Sequence, residues 1–558
     1  MRFLPAAWAA FAAIAWAVEP AAPRLVWTGP SVTLVGGPSR DGRYLSFADP
    51  RTGNLGIREI ATGSSRALTS NPAGSKEFAY FSAIAPDSKR VAYAWFNERG
   101  YYDLRVIGLD GTGRRILYRN EEAGFVQPCA WSPDSKYILT LFFRTDNISQ
   151  IVLVPVDGGA PKPLRSLNWV YPKRMDLSPD GRYVVYDSFA GESEGDRTIY
   201  LLSVDGARER RLVSQPGNHL FPLWTSDGKR VVYGSDRSGT MDIWEVTVED
   251  GAARGEPRLV RRDVGRFLPM GITAAGEFYY GLRSGSTDVF VTTLGAPGRD
   301  ARRATVRFPG RNSSPEWSPD GKSLAFLSRR GSENFGQESR SIVIRNLEAD
   351  DLEANEEREL QPKLAYIGRV RWAPDGKALL ASGSDNRGRG GLYAIDARTS
   401  ALKPLIAEAG APFAGFEGVW SPGGASLIYI RGGELRSREI ASSREAVLYR
   451  DARLGHLAMS PDGKRLAIGS GDNIAVIPVV AGEPRLVPFE GLTALEWGRA
   501  LIAGRGAELW RVPVDSGSPV KLNSPGNRNG GFSLHPDGER IALTAGEVKS
   551  EVWAVPLQ

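Results

Sequence analysis

One pentapeptide has the spacing of a catalytic serine. Gly191-Glu192-Ser193-Glu194-Gly195 fits G-x-S-x-G and follows the apolar run RYVVYDSF. A nucleophile turn of this kind must lead into a helix, which holds the serine oxygen exposed at the end of the sheet. The residues that follow, DRTIYLLSVDG, have the pattern of a strand. The pentapeptide is therefore predicted to be a hairpin loop, and Ser193 is not predicted to be a nucleophile.

The histidines and the Gly-Lys-Ser sequence do not predict a site either. His219, His456 and His535 lie in three separate segments, whereas a histidine metal site needs two or three converging imidazoles. Structural or surface roles are expected for all three. Gly321-Lys322-Ser323 ends like a phosphate-binding loop, but Glu316 stands where the first glycine is required, and a strand-like run follows.

The chain is thus predicted to have no catalytic, cofactor-binding or metal-binding residue. Paired carboxylates for glycoside hydrolase or lyase chemistry stay an open alternative, because Asp and Glu are abundant and their spacing does not distinguish a pair from turn residues. The single cysteine, Cys129, excludes an intramolecular disulfide and is expected to be a small buried apolar residue.

The positions of these residues depend on a turn that the chain repeats. In Trp317-Ser318-Pro319-Asp320-Gly321, proline sets φ, aspartate bonds its own backbone two residues on, and glycine accepts a positive φ; the strand KSLAFLS follows. The aspartate position of the copies is occupied by Asp41, Asp87, Asp134, Asp180, Asp227, Ala275, Asp320, Asp375, Gly423, Asp462 and Asp537, and one further copy keeps only Trp497 and the strand after it.

Twelve copies at a mean step of about 45 residues indicate four-stranded blades of a β-propeller. Because a ring holds four to eight blades, the fold class predicted is all-β, with two tandem six-bladed propellers after a signal peptide. The predicted boundaries are 1–17 for the signal peptide, 18–300 for the first propeller and 301–558 for the second. Seven plus five blades is the alternative. The last strand, EVWAVPLQ, is expected to be completed by strands near RATVRF.

One segment of the second half is helix-like. Leu347 to Leu360, LEADDLEANEEREL, is predicted to be a solvated insertion between strands.

The first residues predict export. MRFLPAAWAAFAAIAWAVEP combines Arg2, an apolar Ala-rich run and the small-x-small site Ala15-Trp16-Ala17. We expect a periplasmic or secreted protein with no integral membrane span after cleavage of the signal; an uncleaved anchor is the alternative. The net charge of +6 is small for 558 residues and no block of basic residues occurs, which argues against a nucleic-acid partner.

Six tryptophans stand just before the repeated turn and are predicted to pack between blades: Trp131, Trp224, Trp317, Trp372, Trp420 and Trp497. Function in such a fold is expected in loops at one face or in the central channel, where blades differ. The loop candidates are Tyr101-Tyr102, Arg144 to Asn147 and Asp385 to Arg387.

The turn and strand xWSPDGKxIAF, followed by DIW and RLT-like strands, resembles the WD40-like β-propeller repeat of the TolB type. The same repeat occurs in tricorn-type proteases. The resemblance covers nearly all of the chain after the leader and implies a propeller with a binding or scaffold role. TolB has an α/β domain before its propeller and the proteases have a catalytic domain after theirs, whereas here we expect the repeats to begin almost directly after the leader and to continue to residue 558.

The leading hypothesis from the sequence is a non-catalytic exported protein that binds a protein, peptide or glycan partner at a propeller face or channel, without a cofactor. Two alternatives are a propeller glycan hydrolase or lyase, and an accessory subunit of a protease. The sequence leaves the oligomeric state open.

Overall fold

A computed structural model shows a chain built from antiparallel β-sheets. The structure describes residues 22–557, except for 30–31, 73–74, 76, 100, 147, 169, 192–195, 266, 297–299, 306–309, 330–339, 349–356, 386–388, 409–415, 452, 480–481 and 523–530. The signal peptide predicted at 1–17 lies outside the described residues.

The described residues of the first half form mostly short strands joined by turns and loops. They are β1 (Arg24–Gly29), β2 (Tyr44–Ala48), β3 (Leu55–Glu59), β4 (Ser65–Ala67), β5 (Phe78–Ile84), β6 (Arg90–Phe96), β7 (Tyr102–Gly108), β8 (Arg115–Tyr118), β9 (Ala123–Trp131), β10 (Tyr137–Arg144), β11 (Ser149–Pro155), β12 (Lys162–Leu167), β13 (Met175–Leu177), β14 (Tyr183–Phe189), β15 (Arg197–Ser203), β16 (Glu209–Arg211), β17 (His219–Trp224), β18 (Arg230–Ser235), β19 (Asp242–Glu249), β20 (Ala252–Arg261), β21 (Phe267–Ile272), β22 (Glu277–Thr293) and β23 (Arg302–Arg303).

The second half repeats the same pattern of short strands. They are β24 (Asn312–Trp317), β25 (Ser323–Arg329), β26 (Arg340–Asn346), β27 (Glu357–Leu360), β28 (Leu364–Trp372), β29 (Ala378–Asp385), β30 (Gly390–Asp396), β31 (Leu402–Glu408), β32 (Gly418–Trp420), β33 (Ser426–Arg431), β34 (Glu434–Glu439), β35 (Glu445–Arg450), β36 (Leu454–Met459), β37 (Arg465–Ser470), β38 (Asn473–Pro478), β39 (Arg485–Pro488), β40 (Leu492–Trp497), β41 (Leu501–Arg505), β42 (Glu508–Val512), β43 (Val520–Lys521), β44 (Phe532–Leu534) and β45 (Arg540–Pro556).

Consecutive strands form consecutive sheets. In the first half, β2–β4 form a three-stranded sheet, and β5–β8, β9–β12, β13–β16 and β17–β20 form four-stranded sheets. In the second half, β24–β27, β28–β31, β32–β35, β36–β39 and β40–β43 do the same. The remaining six strands, β1, β21, β22, β23, β44 and β45, form one sheet, which we call the closing sheet. The prediction of an all-β protein made of four-stranded antiparallel units is confirmed.

Buried apolar side chains lie between successive sheets and arrange them in two cycles. In the described residues, twelve clusters each join two neighbouring sheets. Leu45 packs with Met270, which brings the first sheet back to the closing sheet. In the second half, Ile502 packs with Ile541, which joins the sheet β40–β43 to the closing sheet. Trp317 packs with Ala542, which joins the sheet β24–β27 to the closing sheet. We call the two cycles the first ring and the second ring, and we infer six blades in each.

The repeated turn shows why these strands begin where they do. Asp320 Oδ1 accepts hydrogen bonds from Ser318 Oγ at 2.5 Å and from the Lys322 N–H at 3.0 Å. The Ser323 N–H donates to Ser318 Oγ at 2.9 Å, which starts β25. Gly321 has φ +74°, a conformation that L residues rarely adopt. The turn is therefore stabilised by side chains of its own sequence, independently of the blade that carries it.

The closing sheet contributes to both rings. Strands β22 and β45 each contain 17 residues and pair along their whole length, from Glu277 with Pro556 to Thr293 with Arg540. We call this pair the ribbon. At one end of the ribbon, β21 and β1 complete a blade of the first ring in the order β21-β22-β45-β1. At the other end, β44 and β23 complete a blade of the second ring in the order β44-β45-β22-β23.

A glycine permits the close approach of the two strands at the middle of the ribbon. Gly546 pairs with Thr287 and has φ +145°. A Cβ atom there would lie 2.0 Å from the Ser286 carbonyl oxygen, well inside van der Waals contact. Only glycine fits this position without a backbone shift.

Two expectations need correction. The last strand does not obtain its outer neighbour near RATVRF, because its residues 551–556 lie in the first ring between β22 and β1. Arg302–Arg303 instead pairs with Phe290 and Val291 of β22. The end of the helix-like segment 347–360 is strand β27, which pairs with β26, and 349–356 lie outside the described residues. The boundary at 300/301 stays a proposal.

The ribbon predicts that the halves stay together after the chain is cut. If a protease site is engineered in 306–309 and cleaved, the two fragments should co-elute in native gel filtration, because β45 belongs to one fragment and β1 and β22 to the other. They should separate in denaturant. Separation in native buffer would contradict the pairing.

A truncated chain is the matched control for this experiment. A chain ending at Lys549 lacks the part of β45 that pairs with β1 and leaves strand edges of the first ring unpaired. After the same cut, its fragments should separate more readily than those of the full chain.

The turn chemistry predicts a stabilising substitution. Gly423 occupies the aspartate position of its turn without a positive φ, and a Cβ there would meet no atom within 4 Å. Gly423→Asp should raise the free energy of unfolding by about 1 kcal/mol through bonds to Ser421 Oγ and the Ala425 N–H. Gly423→Ala isolates the backbone effect, which is about 0.5 kcal/mol. Denaturant unfolding measures both, and equal stability of the two variants would contradict a role for the carboxylate.

Candidate functional site

In each four-stranded sheet the first strand lies nearest the axis of its ring, and in the closing sheet β21 and β44 take this place. Side-chain contacts that cross a ring join these strands or residues next to them: Arg174 Nη2 donates to the Met270 carbonyl at 3.2 Å in the first ring. In the second ring, Arg371 Nη2 donates to the Leu457 carbonyl at 2.9 Å. The inner strands therefore surround two channels, one in each ring.

The channel of the first ring contains a cavity of about 160 Å³ at the end where the repeated turns lie. All six blades contribute to its lining, among them Pro38, Pro86, Cys129, Asp176 and Thr225. A volume of this size admits a few water molecules or a small ligand.

The polar groups of this cavity are held by backbone atoms. Asp176 accepts the Trp224 N–H and the Leu177 N–H, both at 2.9 Å. Burial raises the pKa of Asp176, although these bonds oppose the change. Burial also raises the pKa of the Cys129 thiol to about 12, so the thiol is protonated and unreactive at neutral pH, as the sequence predicted.

The opposite end of the first ring has a continuous group of aromatic side chains. Phe78, Tyr80, Phe81, Phe96, Tyr102 and Phe125 have ring centroids 4.6–6.3 Å from their neighbours. Phe143 pairs with Phe125 across β9 and β10, and its ring lies 6.2 Å from that of Tyr171. We call these eight residues the aromatic band. They come from three successive blades, at the end where β5 and β9 begin.

The band is half-buried rather than sealed in the core. Tyr171 is 36% exposed, and the other seven members are of intermediate exposure. Burial raises the pKa of Tyr102 to about 12, whereas the ammonium group of Lys173, 4.5 Å from the ring centroid of Tyr171, lowers the pKa of Tyr171. The band thus combines apolar ring faces with phenolic hydroxyl groups, a surface suited to another molecule.

The channel of the second ring contains charged side chains instead. We call them the charge cluster: Glu316, Arg369, Arg371, Glu417, His456 and Glu496, which come from five blades. Arg369 lies 3.0 Å from Glu417 and also pairs with Glu496. Arg371 Nη1 lies 3.3 Å from Glu496 Oε1. Because Arg369 and Glu496 belong to the second and fifth blades of the ring, these ion pairs cross the channel.

The carboxyl groups of the cluster differ in their environment. Burial, with the nearby charge of Glu496, raises the pKa of Glu316 to about 8. Burial also opposes the ionisation of Glu417, but Arg369, His456, Arg371 and the Leu457 N–H together outweigh it, and the pKa of Glu417 is lowered. Burial lowers the pKa of His456, which lies 3.8 Å from Glu417. At neutral pH the carboxyl group of Glu316 is therefore protonated, whereas that of Glu417 is ionised.

The structure places the loop candidates predicted from the sequence in different environments. Tyr102 belongs to the aromatic band. Arg144 forms ion pairs with Asp146 at 3.0 Å and Glu122 at 3.5 Å. Asp385 is buried, pairs with Arg389 at 2.6 Å and holds its own hairpin. Asn147, Asn386, Arg387 and Glu192 to Gly195, and with them Ser193, lie outside the described residues.

The histidines include one residue that sequence reasoning missed. His219 is buried, bonded to Ser235 Oγ at 2.9 Å and the Gln215 carbonyl at 2.8 Å. His535 bonds the Gly321 carbonyl at 3.0 Å. Both have structural roles, as expected, whereas His456 belongs to the charge cluster. The pattern that would have predicted His456 is a charged or polar residue on each inner strand. This pattern can be recognised only after the inner strands have been identified.

The six tryptophans pack between blades, as predicted. Trp131 Nε1 donates to the Ala83 carbonyl at 2.9 Å, and Trp372 Nε1 to the Glu316 carbonyl at 3.1 Å, both on the preceding blade.

Within the described ranges, no group of three or more His, Cys, Asp and Glu side chains is placed to hold a metal ion. The same residues include no helix with the length and apolar character needed to cross a membrane.

Comparisons with known proteins match the repeated blades. Residues 88–257 match the TolB beta propeller domain family. Uncharacterized protein Atu1656 of Agrobacterium fabrum (strain C58) is 27% identical over 267 residues, which are 44% of this chain and 82% of that protein. Tol-Pal system protein TolB of Francisella tularensis subsp. holarctica is 20% identical over 200 residues, 34% of this chain and 43% of that protein.

Among solved structures, the tricorn protease aligns with 91% of this chain and 59% of its own, at 13% identity and a TM-score of 0.33. The family match falls on blades whose turns and strands are those described above. Residues 88–257 are therefore similar to the blades of the TolB beta propeller domain.

Proposed function

We propose that this chain is an exported, non-catalytic binding protein that recognises a protein, peptide or glycan partner through the aromatic band of the first ring. The observation that carries this function is the band itself: eight half-buried aromatic side chains from three blades, grouped at one face. Tyrosine and other aromatic residues supply large contact area at low entropic cost and dominate the energetics of binding surfaces.

The charges around the band support a partner with mixed chemistry. Lys173 stands over Tyr171, and Arg144 and Glu122 lie at the end of the blade that carries Phe125 and Phe143. A polar rim around apolar contacts is the usual arrangement of a non-obligate interface. The apolar faces of a sugar ring or of a peptide side chain would both fit such a surface.

The TolB-type repeat supports the same function, because TolB-type propellers bind proteins. The chain matches less than half the length of TolB, and its partner is therefore proposed from its own surface. Export rests on the segment 1–17.

A glycan hydrolase or lyase is the second candidate. The observation that favours it is the charge cluster, where the pKa of Glu316 is raised and that of Glu417 is lowered. Two carboxyl groups whose pKa values are pushed apart can act as acid and base.

Binding to arrays of peptides and glycans, followed by affinity measurement on the ligand found, tests the proposal. Tyr80→Ala and Tyr171→Ala should each weaken binding by about tenfold or more, since each removes an aromatic contact. Tyr137→Ala is the matched control, because Tyr137 is 40% exposed but begins β10 at the opposite end of the blade.

Equal loss of affinity in Tyr137→Ala would contradict a role for the band. Turnover of the bound glycan that Glu417→Gln abolishes would favour the second candidate over a non-catalytic protein.

A further inference from the structure

Glu316 is the carboxyl group of the charge cluster without an ion pair. It lies on β24, and the charges of Glu496, Arg371 and Arg369 act on its carboxyl group. Its Oε2 atom is buried and has no hydrogen-bond partner in the described part of the chain. A buried acceptor left without a partner costs free energy, so its retention in a channel calls for a function.

The two arginines of the cluster are already engaged. Arg369 pairs with Glu417 and Glu496, and Arg371 pairs with Glu496 and donates to the Leu457 carbonyl. The cluster therefore contains three carboxyl groups and two guanidinium groups, with His456 mainly uncharged because burial lowers its pKa. If all three carboxyl groups were ionised, the cluster would carry one uncompensated negative charge.

A positive charge beside Glu316 and Glu496 would remove that imbalance. It would pair with the free Oε2 and would reduce the repulsion between the two carboxylates. An anion would face both carboxyl groups, and the Nη atoms of both arginines already have partners. A hard divalent metal takes six or more oxygen ligands, and no metal-binding group of side chains occurs in the described residues.

We propose that the channel of the second ring binds an organic cation, a guanidinium or primary ammonium group such as that of an arginine or lysine side chain, with Glu316 as its counter-ion. This site is separate from the aromatic band and does not depend on the function proposed for the band. Arg369, exposed by 22% of its side chain, and His456, exposed by 37%, leave the cluster accessible from the channel.

Binding of a cation must be linked to a proton. Glu316 is protonated at neutral pH because its pKa is raised to about 8. The cation binds the ionised form, so binding at pH 7 releases close to one proton. As pH is raised toward 8, affinity for a guanidinium ligand should increase by about tenfold for each pH unit. Above pH 8 the affinity should stay constant.

Calorimetry with Nα-acetylarginine amide tests the site. At pH 7, titration in buffers of different ionisation enthalpy should show release of close to one proton for each ligand bound. Nα-acetylcitrulline amide has the same shape without the charge and should bind at least tenfold more weakly. Failure of the arginine ligand to bind at millimolar concentration overturns the proposal, as does equal binding of the citrulline ligand.

Two variants test the role of Glu316. Glu316→Gln keeps the shape of the protonated side chain but cannot ionise, so affinity should fall at least tenfold at pH 8 and proton release should vanish. Glu508→Gln is the matched control, because Glu508 pairs with Lys521 on the surface of another blade. Unchanged binding in Glu316→Gln, or equal loss in Glu508→Gln, overturns the proposal.

The free protein gives an independent measurement of the same group. A carboxyl group whose pKa is raised on folding binds more protons in the folded state, so stability is lost as pH rises from about 5 through 8. The Tm of the natural chain should fall over that range relative to Glu316→Gln, and the two should agree near pH 5. Parallel curves for the two proteins would mean that Glu316 takes up no proton on folding, which overturns the proton-linked binding proposed here.

Discussion

The ladder of hydrogen bonds between β22 and β45 is the constraint on which both rings depend. A propeller ring has open strand edges until its last blade is complete, and an open edge can pair with another chain. Here one pair of 17-residue strands supplies the middle of the last blade in each ring. Chain segments from both halves are needed at each end, so neither ring closes from a single continuous stretch. The rings are consequently two packing units but one hydrogen-bonded structure.

The twelve interblade clusters depend on that closure. Each cluster is shared by two sheets, so a blade without a neighbour would expose the apolar face that it buries in the ring. The repeated tryptophans add hydrogen bonds to the preceding blade, as Trp131 and Trp372 do. The scaffold uses the same turn and the same packing position in most blades. Differences between blades are therefore concentrated at the ring faces and on the inner strands, where the aromatic band and the charge cluster lie.

The sequence predicted the blades well because their chemistry is local. The turn at Asp320 is stabilised by residues within five positions of one another, and it recurs wherever those residues recur. The exchange at the closing sheet was not predicted, because Glu551 to Pro556 has the pattern of any inner strand and nothing in it selects β1 over a strand nearer in sequence. The charge cluster was missed for a related reason. Arg369 and Glu496 are 127 residues apart and meet only when the ring closes.

The strand that completes the first ring follows every blade of the second ring in the chain. Residues 551–556 are synthesised after every blade of the second ring, yet they fill the gap between β22 and β1. During vectorial synthesis or export, the first ring keeps an unpaired strand edge until β45 emerges, more than two hundred residues later. Folding of the first ring thus depends on β45, and its rate should follow the synthesis of β45 rather than that of the first half. A chain that stops before β45 would leave both rings open.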